Sequence, residues 1–210
     1  MLKENKKLLI ITTAVLLLPV LAGLILWNRL PDQLPTHWNF AGQIDDYSSK
    51  TFTVFGLFGF MLAVHLVCFF ATMADPKNKN IGRKYLSLVL WIAPIISVLV
   101  GCLTYAAALG LPVNVARIMP VVLSLMFVVL GNYMPKFKQN YTMGIKLPWT
   151  LNSEENWNRT HRFAGRLWVI GGLIMALAGF MGWAWVFVAG MILLAIVPMG
   201  YSFLLYRKGI

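Results

Sequence analysis

Few residues in this 210-residue chain are of a type that does chemistry, and most of them gather in two segments. The first runs from Asn28 to Lys50 and holds His37, Trp38, Asn39, Asp45 and Asp46 behind Pro31 and Pro35. An imidazole, an amide and two carboxylates offer hydrogen bonds and attract cations, while Trp38 and Phe40 offer apolar contact, which together suit a recognition surface. The same residues equally suit a structural cap with its aromatics at headgroup level. As a metal set they are incomplete for zinc, with one His beside two carboxylates, and their oxygens match calcium weakly. No nucleophile, base and orienting group occur together in any one loop, so an enzyme is not expected and no catalytic residue, metal or cofactor is assigned.

The second segment, Gly131 to Gly165, mixes polar, basic and aromatic residues around Pro135 and Pro148. Outside both, His65 stands within an apolar run, where an ionisable side chain faces protein or water rather than lipid. A relay or ligand role competes there with a neutral His hydrogen-bonded to a neighbouring helix, for which Tyr105 and Asn132 are the candidate polar companions.

The elements that must position these residues follow from composition. With 59% apolar and 12% charged residues, the chain cannot cover the surface of a soluble domain. Six uninterrupted apolar runs, about 8–27, 51–73, 85–109, 118–134, 167–181 and 183–206, each approach the length that crosses a bilayer. They do not alternate as barrel strands do, and lipid offers the backbone no partner, so an all-α integral membrane fold of six transmembrane helices is expected. The whole chain, 1–210, then forms a single polytopic membrane domain with an outer loop at 28–50 and an inner loop at 135–166. The first run is too long for a signal-peptide core and lacks a small-residue cleavage site, so it reads as a retained span. Cys68 and Cys102 fall inside spans and read as small packing residues rather than a disulfide.

Fifteen of the 18 Lys and Arg lie at the N-terminus, in the second and fourth loops and in the tail, leaving only Arg29, Lys50 and Arg117 on the other face. By the positive-inside rule both termini are cytoplasmic, the 28–50 loop is an extracellular lid, and the protein is multi-pass. The net charge of +11 therefore reports topology and contact with anionic lipids, and no direct nucleic-acid binding is expected.

Within the outer loop, Pro31 and Pro35 favour extended backbone, and Thr36, Trp38 and Phe40 alternate with His37 and Asn39 as in a short strand. Ala41-Gly42 makes a turn, and Ser48 or Ser49 caps the second span, which sets Asp45, Asp46 and Tyr47 beside His37 and Asn39. In the inner loop Pro135 ends the fourth span and Pro148 makes a second break. Asn152 or Ser153 caps a new helix with Glu154 and Glu155 in its first turn. That helix is expected to lie along the membrane as an interfacial cytoplasmic elbow before span five. Trp157, Thr160, His161 and Ala164 share one of its faces, and Arg159, Arg162 and Arg166 reach lipid phosphates. Pro19, Pro94, Pro120 and Pro198 are candidate kinks, and Gly171, Gly172, Gly179 and Gly182 allow close helix contacts.

The inner-loop residues Gly131-Asn132-Tyr133-Met134-Pro135-Lys136, Asn140, Gly144-Ile145-Lys146, Pro148-Trp149-Thr150-Leu151, Glu154, Trp157 and Thr160-His161-Arg162 resemble the signature of the Sdp immunity (SdpI) family. Leu34-Pro35-Thr36-His37-Trp38-Asn39 with Gly42, Asp45 and Lys50 resembles the small membrane segment, of the DUF1648 type, that this family carries N-terminally. The pattern departs at Leu147, where the family is expected to have Thr.

The resemblance implies a bacterial membrane immunity protein that binds or neutralises a secreted antimicrobial peptide toxin. It also implies a receptor that sequesters a cytoplasmic transcriptional repressor at the membrane. On that reading Pro35, His37, Trp38, Asn39, Gly42, Asp45 and Asp46 form the toxin surface. Asn132, Pro135, Lys136, Asn140, Gly144, Lys146, Pro148, Trp149, Thr150, Glu154, Trp157, Thr160 and His161 form the signalling surface. A small peptide or lipid transporter, with a polar pathway around His65, and a membrane hydrolase using a metal at the outer loop are the alternatives.

Overall fold

The computed structural model describes residues 2–210. Apolar chain in lipid must satisfy its backbone internally, and the described residues contain six helices long and apolar enough to cross a membrane: Asn5–Ile25, Phe52–Met73, Arg83–Ala108, Val115–Lys136, Glu154–Phe180 and Ala184–Arg207. The protein is thus an all-α multi-pass membrane protein, and the ends of five spans lie within three residues of the sequence expectation. By packing, the chain groups into two units: one of residues up to Ala74 with Arg83–Val115, the other of Asp75–Gly82 with Ala116–Ile210.

In the first unit, the first span is broken into α1 (Leu2–Leu16) and α2 (Leu18–Ile25) because Pro19, in the first turn of α2, has no N–H to continue the α1 ladder. Two side chains of α4 (Arg83–Ala108) hold the carbonyls flanking this break: Ser97 Oγ donates to Leu16 O at 2.7 Å and Tyr105 Oη to Pro19 O at 2.9 Å. The core beneath the lid is Leu30, Leu34, Val54, Phe58 and Tyr105. The lid itself is a two-stranded antiparallel sheet, β1 (Gln33–Trp38) and β2 (Ile44–Ser49), with β1 packed on α4. Ser49 Oγ accepts from Phe52 N, so the strand runs directly into a π-helical turn, Phe52–Leu57, and then α3 (Phe58–Met73).

In the second unit, α5 (Val115–Tyr133) ends in a 3-10 turn at Met134–Lys136 containing Pro135, as the sequence expects. A short α6 (Pro148–Asn152) precedes α7 (Glu154–Phe180), and α8 (Ala184–Arg207) closes the chain. Gly165, Gly172 and Gly179 recur at every seventh residue of α7 and let α5 come close. A Cβ on Gly165 would stand 2.7 Å from Gly131 O, one on Gly172 2.9 Å from Ser124 O, and one on Gly179 2.8 Å from Pro120.

One expectation is corrected here. The helix beginning at Glu154 does not stop at an interfacial elbow before span five, because α7 runs without interruption for 27 residues. No proline falls inside it, and Gly165 is retained for its contact with Gly131 rather than as a break.

Candidate functional site

The lid hairpin is built by its own polar residues. Asn39 Oδ1 accepts the N–H groups of Ala41 and Gln43, both at 3.0 Å, and Gly42 takes φ +77°, so Asn39 and Gly42 form the turn. At the base, Lys50 Nζ donates to Trp27 O and Leu30 O and pairs with Asp32 Oδ1 at 3.3 Å, pinning the hairpin to the end of α2. Leu34 and Pro35 are buried, so Pro35 anchors β1 and is closed to any ligand. His37 Nδ1 meets Asp45 Oδ1 at 2.6 Å with 66% and 41% of the two side chains exposed, and Asp46 Oδ1 accepts from Tyr47 N at 2.8 Å. Phe40, 78% exposed at the turn, and Tyr47 complete an outward surface, with Trp38 half-buried beside it. Sequence therefore brings His37, Asp45 and Asp46 together as expected, while Asn39 serves the turn rather than a ligand. Among the described residues no three His, Cys, Asp or Glu side chains converge as a metal set.

The inner loop is organised around side chains that are largely enclosed. Trp157 Nε1 donates to Phe137 O at 2.7 Å, and its ring stacks on His161 with centroids 4.0 Å apart. His161 Nδ1 lies 2.8 Å from Trp157 O, and Nε2 accepts the Ile145 N–H at 3.0 Å. A carbonyl needs a donor and an N–H needs an acceptor, so this geometry selects the neutral ring with its proton on Nδ1. Gly144, at φ +108°, lies over both rings, where a Cβ would collide with His161 Nε2. Asn140 Oδ1 accepts from Thr142 N and Met143 N, and Thr150 Oγ1 accepts from Leu147 N and donates to Ile145 O.

Asp75, buried at the end of span two, fastens the loop from below. Its Oδ1 accepts from Lys77 N at 2.8 Å, and its Oδ2 accepts from Tyr141 N at 2.8 Å and Thr142 Oγ1 at 2.9 Å. Gln139 Nε2 donates to Thr150 O and Leu151 O, its amide oxygen accepts from Lys77 Nζ, and Asn80 Nδ2 donates to Gln139 O. Asn156 joins α7 to α8 by accepting from Ser202 Oγ and Thr160 Oγ1.

Of the expected signalling residues, Asn140, Thr150, Trp157, Thr160 and His161 are thus buried and position the loop. Asn132, Pro135, Lys136, Lys146, Pro148 and Glu154 face outward, with Gly144 and Trp149 between. Asp75, Gln139, Asn156 and Ser202 escaped the sequence reading. The available signal for Asp75 was an acid before a proline in a loop otherwise rich in Lys and Arg.

His65 is also buried, and its companion is neither Tyr105 nor Asn132. Thr12 Oγ1 stands 3.1 Å from His65 Nε2, whereas Tyr105 is engaged with Pro19 and Asn132 is exposed in the other unit. A cleft of about 270 Å³ beside His65 is lined by Phe60, Met61, Val64, Leu90, Ile92 and Ile96, all apolar.

The fold and its two ordered loops define a multi-pass membrane protein with an exposed polar hairpin between its first two spans and a locked, aromatic loop between its fourth and fifth. Residues 136–202 match the model of the SdpI/YfhL protein family, and residues 14–62 match a domain of unknown function, DUF1648. The resemblance drawn from the two loops therefore holds for both segments. Among curated proteins the chain is similar to the immunity protein SdpI of Bacillus subtilis (strain 168), with 28% identity over 175 residues, 81% of each chain. No solved structure matches it.

Proposed function

We propose that this protein confers immunity to a secreted antimicrobial peptide toxin from the bacterial cytoplasmic membrane, as a binder rather than an enzyme. Its termini and inner loop face the cytoplasm, and the hairpin faces outside. The carrying observation is the hairpin: a rigid lid clamped by Lys50, whose outward surface of His37, Asp45, Asp46, Phe40 and Tyr47 lies on a stretch, residues 33–49, that holds no Lys or Arg. The similarity to an immunity protein over 81% of both chains supports the same reading.

The test is survival of a bacterium lacking its own immunity gene, expressing this chain and challenged with the toxin that the Bacillus relative resists. Protection by the wild type, reduced by Asp45→Ala and Trp38→Ala at equal membrane abundance, is the expected result. Absence of protection by the wild type would overturn the reading for that toxin class. A reporter fused after Ile210 should be cytoplasmic, and a periplasmic signal would reverse the orientation.

Repressor capture at the membrane is a second activity, supported by the outward set Lys136, Lys146, Pro148 and Glu154 around a loop whose centre, Trp157 and His161, is enclosed. Charge reversal at Lys136 and Lys146 should then abolish induction of a linked promoter and leave survival unchanged. Transport is disfavoured by the apolar lining of the cleft beside His65, and toxin-dependent flux in liposomes would restore it.

A further inference from the structure

A two-stranded sheet has two outer edges, and in this hairpin they differ. The outer edge of β1 is closed: Leu34 and Pro35 are buried, the strand packs on α4, and Pro35 has no N–H to offer. The outer edge of β2 is open, with Asp45, Asp46 and Tyr47 all exposed. Tyr47 pairs with Pro35 across the ladder, yet its N–H turns away from β1 and is held by the Asp46 carboxylate. Within a strand the N–H and C=O of one residue point to the same side, so the Tyr47 carbonyl faces the open edge too. Lys50 N bonds back to Asp32 O, which fixes the alternation and sends Ser49 outward with Tyr47.

We propose that β2 is a docking edge for an extended, Lys- or Arg-bearing segment of a peptide, which adds to the hairpin as a third strand. The inference deepens the immunity reading and rests on it for the peptide's identity as a toxin. Main-chain pairing to an open edge supplies affinity in such additions, and side chains supply selectivity. Here the selectivity is charge: two successive carboxylates leave the strand at Asp45 and Asp46, whereas Lys50, the nearest cation in sequence, is engaged by Asp32 and two carbonyls. A carbonyl of the arriving strand takes the Tyr47 N–H and releases the Asp46 carboxylate to a cation of the same segment. Peptides that act on bacterial membranes are commonly rich in Lys and Arg, which fits this edge. The competing role for charges on an edge strand is to repel other strands.

The experiment uses the full chain in nanodiscs of zwitterionic lipid, titrated with an eight-residue peptide of alternating Lys and Val. An otherwise identical peptide N-methylated at alternate residues and a Glu-Val peptide are the comparisons. The Lys-Val peptide should bind, the N-methylated one at least tenfold more weakly, and the Glu-Val one not at all. Tyr47→Pro removes the outward N–H without touching the bonds between β1 and β2, and should weaken binding about tenfold, as should Asp46→Asn. Tyr47→Ala keeps the N–H, so it should bind at least about fivefold more tightly than Tyr47→Pro, a tenfold change being about 1.4 kcal/mol. Equal binding of the N-methylated or the acidic peptide, or no binding of the Lys-Val peptide, overturns the docking edge and leaves the charges as guards.

Survival separates the two readings. If the wild type protects and Tyr47→Pro and Asp46→Asn protect fully, the edge fails and immunity stands. If the wild type does not protect, immunity fails while the peptide titration still judges the edge.

Discussion

Removing the Asp75 carboxylate should release the inner loop while leaving the spans inserted. Asp75 is 4% exposed, and its oxygens hold two backbone donors, Lys77 N and Tyr141 N, plus the Thr142 hydroxyl. The hydroxyl has a second acceptor in Asn140 Oδ1 at 3.3 Å, so Asp75→Ala orphans the two N–H groups. At about 1.5–3 kcal/mol for each hydrogen bond to a charged acceptor, the loss is about 3–6 kcal/mol, concentrated in residues 137–147. Asp75→Asn keeps one oxygen and forfeits about half of that. Lys138 and Lys146 are exposed on this loop, which makes trypsin the assay. A loop that opens about 3 kcal/mol more easily is cut on the order of 100-fold faster at low trypsin, where opening and closing are fast relative to cleavage. The expected order of rates at Lys138 and Lys146 is Ala above Asn above wild type, at unchanged membrane abundance. Equal cleavage of wild type and Asp75→Ala would refute the claim that this carboxylate fastens the loop.

Three further outcomes are expected from the same protein in detergent. Gly144→Ala, which places a side chain at φ +108° against His161 Nε2 and the Trp157 ring, should cost about 1–3 kcal/mol and accelerate the same cleavage. Leu147→Thr should stabilise by about 1 kcal/mol, seen as slower cleavage at Lys146, because Leu147 has extended backbone at the start of α6 and no side-chain cap. Thr12→Val deprives buried His65 of its partner and should lower thermal stability by about 1–3 kcal/mol, whereas Thr12→Ser should restore most of it.

The spans were legible because lipid leaves a 20-residue apolar run one way to satisfy its backbone, and the runs from Thr51 and from Trp183 are nearly unbroken. The lid was legible through Pro35, the alternation to Phe40 and the Ala41-Gly42 turn, all of which act locally. Of the two caps the sequence offers there, Asn152 and Ser153, it is Ser153 that accepts from Asn156 N, at 3.1 Å. The continuity of α7 was hidden because residues 154–166 are polar, and polarity marks depth relative to a membrane without stopping a helix. The Thr12–His65 pair joins residues 53 apart, and a Thr in an apolar run carries no mark of its partner. Burial of Trp157, Thr160 and His161 followed from the face they share, but the chain covering that face, from Phe137 to Ile145, is irregular and has no period to read.

The unbroken course of α7 has a mechanical consequence. From Gly179, where it touches α5 at Pro120, to His161 it rises 18 residues, roughly 27 Å at about 1.5 Å each. The helix is thus a stiff shaft held against α5 at its glycines, Gly179 being the pivot farthest from the loop, with the loop's central His and Trp mounted near its N-terminal end. A tilt of about 10° at the pivot sweeps His161 through roughly 5 Å by that same rise. Displacement within the bilayer would reach the loop at full amplitude, with no hinge along the shaft to absorb it.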